Sequence, residues 1–492
     1  MEKRILTLVL AAALLLSSVS CAGNEENGKE TQPSSTNESV SGTESETESE
    51  PENAELRPEL PEKDYGGSTF TYLRYDLTEQ TITYLANDLC PTGETGDTLN
   101  DSIWRRNSVV EDKYKIKFAE DVERNCAKVL GQMLGAQELK YDAVNPELLQ
   151  LKTMVLSGYL MNLYDLPVVD WTYPWWDSSS VKSLTIRKTL PAVFTDITLV
   201  DKYSTYVTLF HKGMAKDHNL PDLYTLTAEG KWTIDNMISL SESVSDDING
   251  DGKYDKNDVY GISAQKDAIY VLMHGSGVRF ADTDEDGDPI DVFYSERTVD
   301  AAKKIISLMG DERLFFDRTA KGLTVPECIN MFAANQALFF LRPLTTVESL
   351  RDMENDYGII PIPKYAESDA NYLCTMNKWI ACPMAVPLSV RDAELTGIIL
   401  EALAAESHYG VIPSFYEDVL GVKIVRDPES SEMLDLIFDS RMYDIGYIYD
   451  FGGFCDKLMN IPKGKKSGIT GLYNSNKSAI AASINDFIEN AK

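Results

Sequence analysis

From Gly66 to Phe438, short apolar runs alternate with segments whose apolar residues recur at helical spacing. Thr69–Tyr75, Lys113–Phe118, Tyr141–Val144, Asn335–Leu341 and Tyr357–Ile360 read as strands. In Lys113–Phe118 the residues Tyr114, Ile116 and Phe118 fall on one side. Leu99–Asp112, Thr233–Val244, Thr298–Met309, Val390–His408 and Ser430–Phe438 read as helices. A further helix is expected after residue 145, with Asn145 as N-cap, Pro146 at the first helical position and Gly158 in the left-handed position at its end. Its apolar face carries Leu148, Leu151 and Val155. Strands interleaved with helices over this length need sheets covered by helices, so the expected class is α/β with largely parallel sheets.

The balance of residues suits a packed core: 43% are hydrophobic and 25% charged. No apolar run reaches the roughly 18 residues that a membrane span needs. The 46 Lys and Arg stand against 78 Asp and Glu, a net charge of −32. Nucleic acid needs a basic surface to displace its counterions, so that partner is excluded. Anionic ligands are disfavoured unless a local basic pocket exists, because the field of the whole protein repels them.

Residues 1–20 read as a signal peptide: Lys3 and Arg4, an apolar stretch from Ile5 to Leu16, then small residues up to Cys21. The pattern is similar to a bacterial lipoprotein signal, with Cys21 as the lipidated residue; an ordinary secretory signal cut elsewhere is the alternative. Residues 21–63 are expected to be a disordered acidic tether, with 12 Glu against three basic residues, four Pro and no aromatics. The body then keeps roughly −24. Besides Cys21, six cysteines remain, none in a CxxC pair. A hairpin bridge between Cys374 and Cys382 and a set of free buried thiols are both open.

Two stretches carry ligand chemistry. Residues 247–258, DINGDGKYDKND, follow the EF-hand loop template. Asp247, Asn249 and Asp251 take positions one, three and five, and Gly252 takes position six, where the chain must turn. Lys253 offers its carbonyl at seven, Asp255 stands at nine and Asp258 at twelve. Alternating hard oxygens suit one structural Ca²⁺; a solvated turn is the competing reading. Residues 282–288, DTDEDGD, lack a ligand at position twelve, and Asp286-Gly287 reads as a hairpin turn instead. The second stretch is WTYPWW, with Trp171, Tyr173, Trp175 and Trp176. Aromatic faces stack on sugar rings, so Tyr173, Trp175, Trp176 and Tyr206 are the expected ligand-binding residues, with core packing as the alternative. The histidines (211, 218, 274 and 408) form no HExxH pair, and no GxSxG, Walker or GxGxxG motif occurs. No catalytic residues are expected.

Several stretches in order, GDTLNDSIWRRNSVVEDKYKIKF (96–118), WWDSSSVKSLTI (175–186), LFHKGMAKDHNLPDLYTLTAEGKWTIDNMISLSESVSDDINGDGKYDKNDVYGIS (209–263), ANQALFFLRPLTTVESLRDMENDYGIIPIPK (334–364) and YEDVLGVKIVRDPESSEMLDLIFDSRMYDIG (416–446), resemble the extracellular solute-binding proteins, family 1, of ABC importers. The resemblance implies a two-lobed periplasmic-binding-protein-like fold with hinge crossovers. Residues 64–200 plus 325–365 would form the first lobe, and 201–324 plus 366–492 the second. It implies a lipid-anchored, extracytoplasmic monomer that captures a neutral sugar or oligosaccharide for permease subunits in the membrane and does no chemistry. Relatives usually have Asn where His211 stands, and a Gly-Lys-aromatic step near Arg187–Leu190. A polysaccharide-docking module, a glycoside hydrolase and a polyamine carrier are the alternatives.

Overall fold

The computed structural model describes residues 55–78, 85, 88–416, 428–461, 463 and 468–491. The signal segment and Cys21 lie outside the described residues, as does most of the expected tether. Ten strands are present among the described residues: β1 Ser68–Tyr75, β2 Ile116–Glu123, β3 Ala143–Asn145, β4 Tyr206–His211, β5 Tyr260–Ala264, β6 Ala281–Thr283, β7 Pro289–Asp291, β8 Phe315–Asp317, β9 Ala337–Pro343 and β10 Tyr357–Ile360. They form a parallel three-stranded sheet in the order β2-β1-β3, a five-stranded sheet in the order β10-β4-β9-β5-β8, and the hairpin β6-β7.

The larger sheet is mixed rather than parallel throughout. β9, β5 and β8 run parallel, whereas β4 pairs antiparallel with both β9 and β10. Every residue of β4, β5, β9 and β10 is buried, the near-continuous apolar pattern of strands covered on both faces. The helix Ile234–Glu242 lies so close to β5 that a Cβ on Gly261 would come 2.1 Å from Ser241 Cβ. Only glycine allows that approach.

Local signals are realised with small shifts. Thr233 and Ser295 cap the helices Ile234–Glu242 and Glu296–Met309. Gly287 turns the β6-β7 hairpin at φ +81°. The expected strand at Lys113–Phe118 begins later, because helix Thr98–Tyr114 continues until Lys115 adopts φ 53°. Asn145 is not an N-cap: it ends β3 and donates from Nδ2 to the carbonyls of Cys382 and Pro383, at 2.8 and 3.0 Å. Gly158 does take the left-handed conformation, at φ 65°.

Three larger expectations are corrected. Residues 325–365 do not join the first sheet, since β9 and β10 hydrogen-bond to β4 and β5 of the second. Part of 366–492 goes the other way: Ala385 bridges to Val144 of β3. The last residues of the expected tether are not free, because Arg57 pairs with Glu406 at 2.8 Å and Lys63 with Glu394 at 2.6 Å on helix Ala393–Glu406. Cys374 and Cys382 form no bridge, since they pair with different partners, residue 441 and Asn145. All six described cysteines are free thiols.

Candidate ligand site at the strand ends

Two chain segments connect the sheets side by side. Residues 193–206 run antiparallel to 376–384, with Val193 bridged to Met384 and Thr205 to Met376. Tyr206 N donates to Thr375 O and Asn377 N to Ser204 O, each at 2.8 Å. At one end Ala385 and Ala381 receive the amides of Val144 and Leu148 beside the small sheet. At the other, Tyr206 opens β4.

β5, β8 and β9 are parallel, so their C-terminal ends share one edge of the large sheet. The antiparallel β4 places Tyr206 at that same edge, opposite Pro343. Crevices beyond the carboxyl ends of parallel strands are where open α/β sheets bind ligands. Here the edge carries Tyr206, Asp267, Arg318 and Arg342. Tyr206 Oη donates to Asp267 Oδ2 at 2.5 Å. Burial pushes the Asp267 carboxyl upward, opposed by that hydrogen bond and by Arg342. Asp267 is 7% exposed and Arg342 8%. Arg342 Nε donates to Thr346 Oγ1 at 3.3 Å, while Nη1 is buried with no partner. Arg318 donates to Leu323 O at 2.7 Å and to Gln265 Oε1.

An aromatic group continues from this edge. Tyr270 lies on helix Ala268–Gly275, which starts just after Asp267. Its ring is 4.9 Å from that of Tyr447 and 6.4 Å from that of Trp379, which sits half-buried on the connecting segment. The Lys378 ammonium stands 4.9 Å from the Tyr447 ring centre and 5.5 Å from that of Trp379. An acidic acceptor, cationic donors and a partly open indole are what recognition of a hydroxylated ring requires. A small apolar recess beside Val155, Ile186, Tyr449 and Phe487 carries no charged lining, so the edge is the better candidate.

Of the four predicted ligand-binding residues, Tyr206 alone reaches this site, and through its hydroxyl rather than an open ring. Trp175 and Trp176 are 1% and 2% exposed. Their indole N–H groups donate to Glu401 Oε1 and Oε2, each at 3.1 Å. Buried with both N–H groups engaged, they are packing residues and present no face to a ligand. Tyr173 stacks on Trp175 with ring centres 4.4 Å apart. Sequence reasoning missed Asp267, Arg342, Lys378 and Trp379. One signal was available for Arg342: it is the single charged residue in the apolar run ALFFLRP.

The loop 247–258 folds on itself. Asp247 accepts from Gly250 N at 2.9 Å and Gly252 N at 2.7 Å, and Gly252 has φ 76°. Asn249 and Asp251 accept from Asp251 N and Lys253 N, and Asp255 from Asn257 N. Buried Asp258 accepts from Ile248 N and Asp255 N. Among the described residues, no three His, Cys, Asp or Glu side chains converge as a metal-ligand set.

No family model matches the chain, and no curated protein matches it in sequence. Solved structures do match over most of its length. An ABC substrate-binding protein from Listeria monocytogenes, in complex with cycloalternan, aligns with a TM-score of 0.53 at 11% identity over 86% of this chain and 98% of that one. An ABC transporter solute-binding protein from Thermotoga lettingae, bound with alpha-D-tagatose, gives 0.53 at 14% over 86% and 100%. UgpB from Mycobacterium tuberculosis, in complex with glycerophosphocholine, gives 0.55 at 14% over 86% and 99%. At these identities the likeness is one of fold: the α/β, two-lobed architecture of ABC-importer solute-binding proteins.

Proposed function

We propose that this chain is the solute-binding component of an ABC importer, held outside the cell membrane by lipid on Cys21. It captures a saccharide beside the connecting segments and passes it to a permease, without chemistry of its own. The fold match over 86% of the chain carries this reading. The strand-end cluster supports it, since Asp267, Tyr206 and Trp379 offer an acceptor, a polar hydroxyl and a ring face together. Two side-by-side connections form a hinge, and a ligand touching both lobes stabilises the closed form by its differential affinity. A polyamine fits less well, because it would meet the Arg342 and Lys378 cations. The net charge favoured a neutral sugar, whereas the cations at the strand ends reverse the sign locally.

Solution scattering tests this directly. A saccharide that raises the melting midpoint is expected also to reduce the radius of gyration. Binding with no change in dimensions would favour a hingeless docking module. Release of a shortened sugar would indicate a hydrolase.

The loop 247–258 is proposed to hold one structural Ca²⁺. Supporting this, Gly252 makes the required turn and the loop amides orient the carboxylates of Asp247, Asp251 and Asp258. Asn249 and Asp255 and the Lys253 carbonyl would complete the oxygen set.

A further inference from the structure

The charge of this protein is distributed unevenly. Elsewhere, buried cations are met by carboxylates or by carbonyls: Arg441 lies between Asp177 and Asp201, Lys202 pairs with Asp196 at 2.9 Å and Arg74 with Glu120 at 3.0 Å, while Arg106 and Lys364 donate to backbone carbonyls. The strand-end site differs. Among the described residues, Lys266, Arg318, Arg342, Lys378 and Lys463 form no ion pair. This happens in a chain with a 32-charge excess of acid, where a carboxylate partner is the easiest thing to supply.

The acidic groups nearby are already engaged. Asp267 receives the Tyr206 hydroxyl. Asp317 caps the next helical turn through the amides of Thr319 and Ala320. Arg342 is the most telling group. It is more than nine-tenths buried, sits next to the C-terminal end of β9, and keeps Nη1 without a partner. A buried guanidinium donor is costly to leave unmade, and its planar fork matches a carboxylate or sulfate oxygen pair. Burial holds the Lys463 ammonium down to about 8, with Asp317 opposing the effect and Lys266 adding to it.

We infer that the captured solute is a saccharide bearing an oxyanion, a uronate carboxylate or a sulfate ester, which pairs with Arg342 and is flanked by Arg318, Lys266 and Lys463. The inference rests on the saccharide-binding reading above and narrows its substrate class. The hydroxylated ring would lie toward Asp267 and Trp379, and the anion toward Arg342. The local cations overcome at short range the repulsion that the whole chain exerts at long range.

The test is calorimetric titration of the intact protein. One set of probes is acidic: galacturonate, glucuronate and mannuronate trisaccharides and a chondroitin sulfate disaccharide. The other is neutral: galactose, glucose and mannose trisaccharides. Inorganic phosphate is the third arm. At least one acidic sugar is expected to bind tenfold or more tightly than every neutral one; the chondroitin sulfate disaccharide carries a uronate as well as a sulfate, so preference for sulfate is read from its lead over the same disaccharide without sulfate. Arg342→Gln should weaken that binding at least tenfold while the melting midpoint holds or rises. Lys463→Gln, half-buried and outside the sheet, should weaken it several-fold and serves if Arg342→Gln does not fold. Neutral sugars binding as tightly as acidic ones, or unchanged affinity in both variants, would overturn the inference and leave the transport reading standing. Phosphate binding as tightly as any sugar also overturns it. Binding of no saccharide at all removes both.

Discussion

Glu401 joins two aromatic side chains that would otherwise bury unpaired N–H groups. Each of its oxygens accepts one indole, from Trp175 and from Trp176. Burial pushes its carboxyl up to about 7, with the two indole hydrogen bonds acting against the rise. The folded protein therefore holds this proton between about pH 4.5 and pH 7, where the unfolded chain has released it. Stability from this group is full below pH 4.5 and falls as pH rises toward 7, by a total of about 3 kcal/mol. Glu120, raised to about 7 by burial, acts in the same window. His211, lowered by burial, acts oppositely below about pH 6.5. Glu401→Gln isolates the one carboxyl: the difference in melting midpoint, variant minus wild type, is expected to grow between pH 5 and pH 8. A difference independent of pH would show that Glu401 does not titrate there. The same contact sets the outcome of truncating its partner. Trp175→Ala leaves a large cavity and an unpaired Glu401 oxygen, so the expected loss is about 3–5 kcal/mol in a denaturant titration.

At the scale of elements, starts and stops of helices were readable because a cap acts within its own few residues. Thr233 and Asp286-Gly287 behave as their types require. Asn145 did not, because the segment 375–387 runs past it and offers two carbonyls. The acidic loop lies between helix Ile234–Glu242 and β5, with Asp246 and Val259 paired at its base. An ion held there would stiffen the entry to β5. Chelation is expected to lower the melting midpoint of wild type, and Asp251→Ala should abolish that sensitivity. Wild type that melts alike with calcium and with chelator would make the loop a hydrogen-bonded turn and nothing more.

Across the whole molecule, no described helix is long and apolar enough to cross a membrane. In the proposed role, membrane attachment is assigned to lipid on Cys21. Cys21→Ser in the producing cell is expected to move the protein from the membrane fraction to the medium. Two acyl chains anchor firmly where one would not, so partial release would indicate an additional attachment. The strands β1, β3, β9 and β10, the α/β class and the hairpin at 281–291 followed from periodicity and turn chemistry, which are properties of one segment at a time, whereas β4, β5 and β8 were not read. Sheet membership did not, because β9 pairs with β4 across more than a hundred intervening residues. A greater distance separates Trp175 from Glu401, 226 positions later, and that contact decides that the indole is packing rather than platform. The sequence by itself determined which residues could form strands, helices, turns and an acidic loop. Only the tertiary structure decided which side chains lose their water. It buried Trp175 and Trp176 with a carboxylate, and it left Nη1 of Arg342 buried at the end of β9 without a hydrogen-bond partner. Desolvation depends on every neighbour at once, and most of those neighbours are remote in the chain.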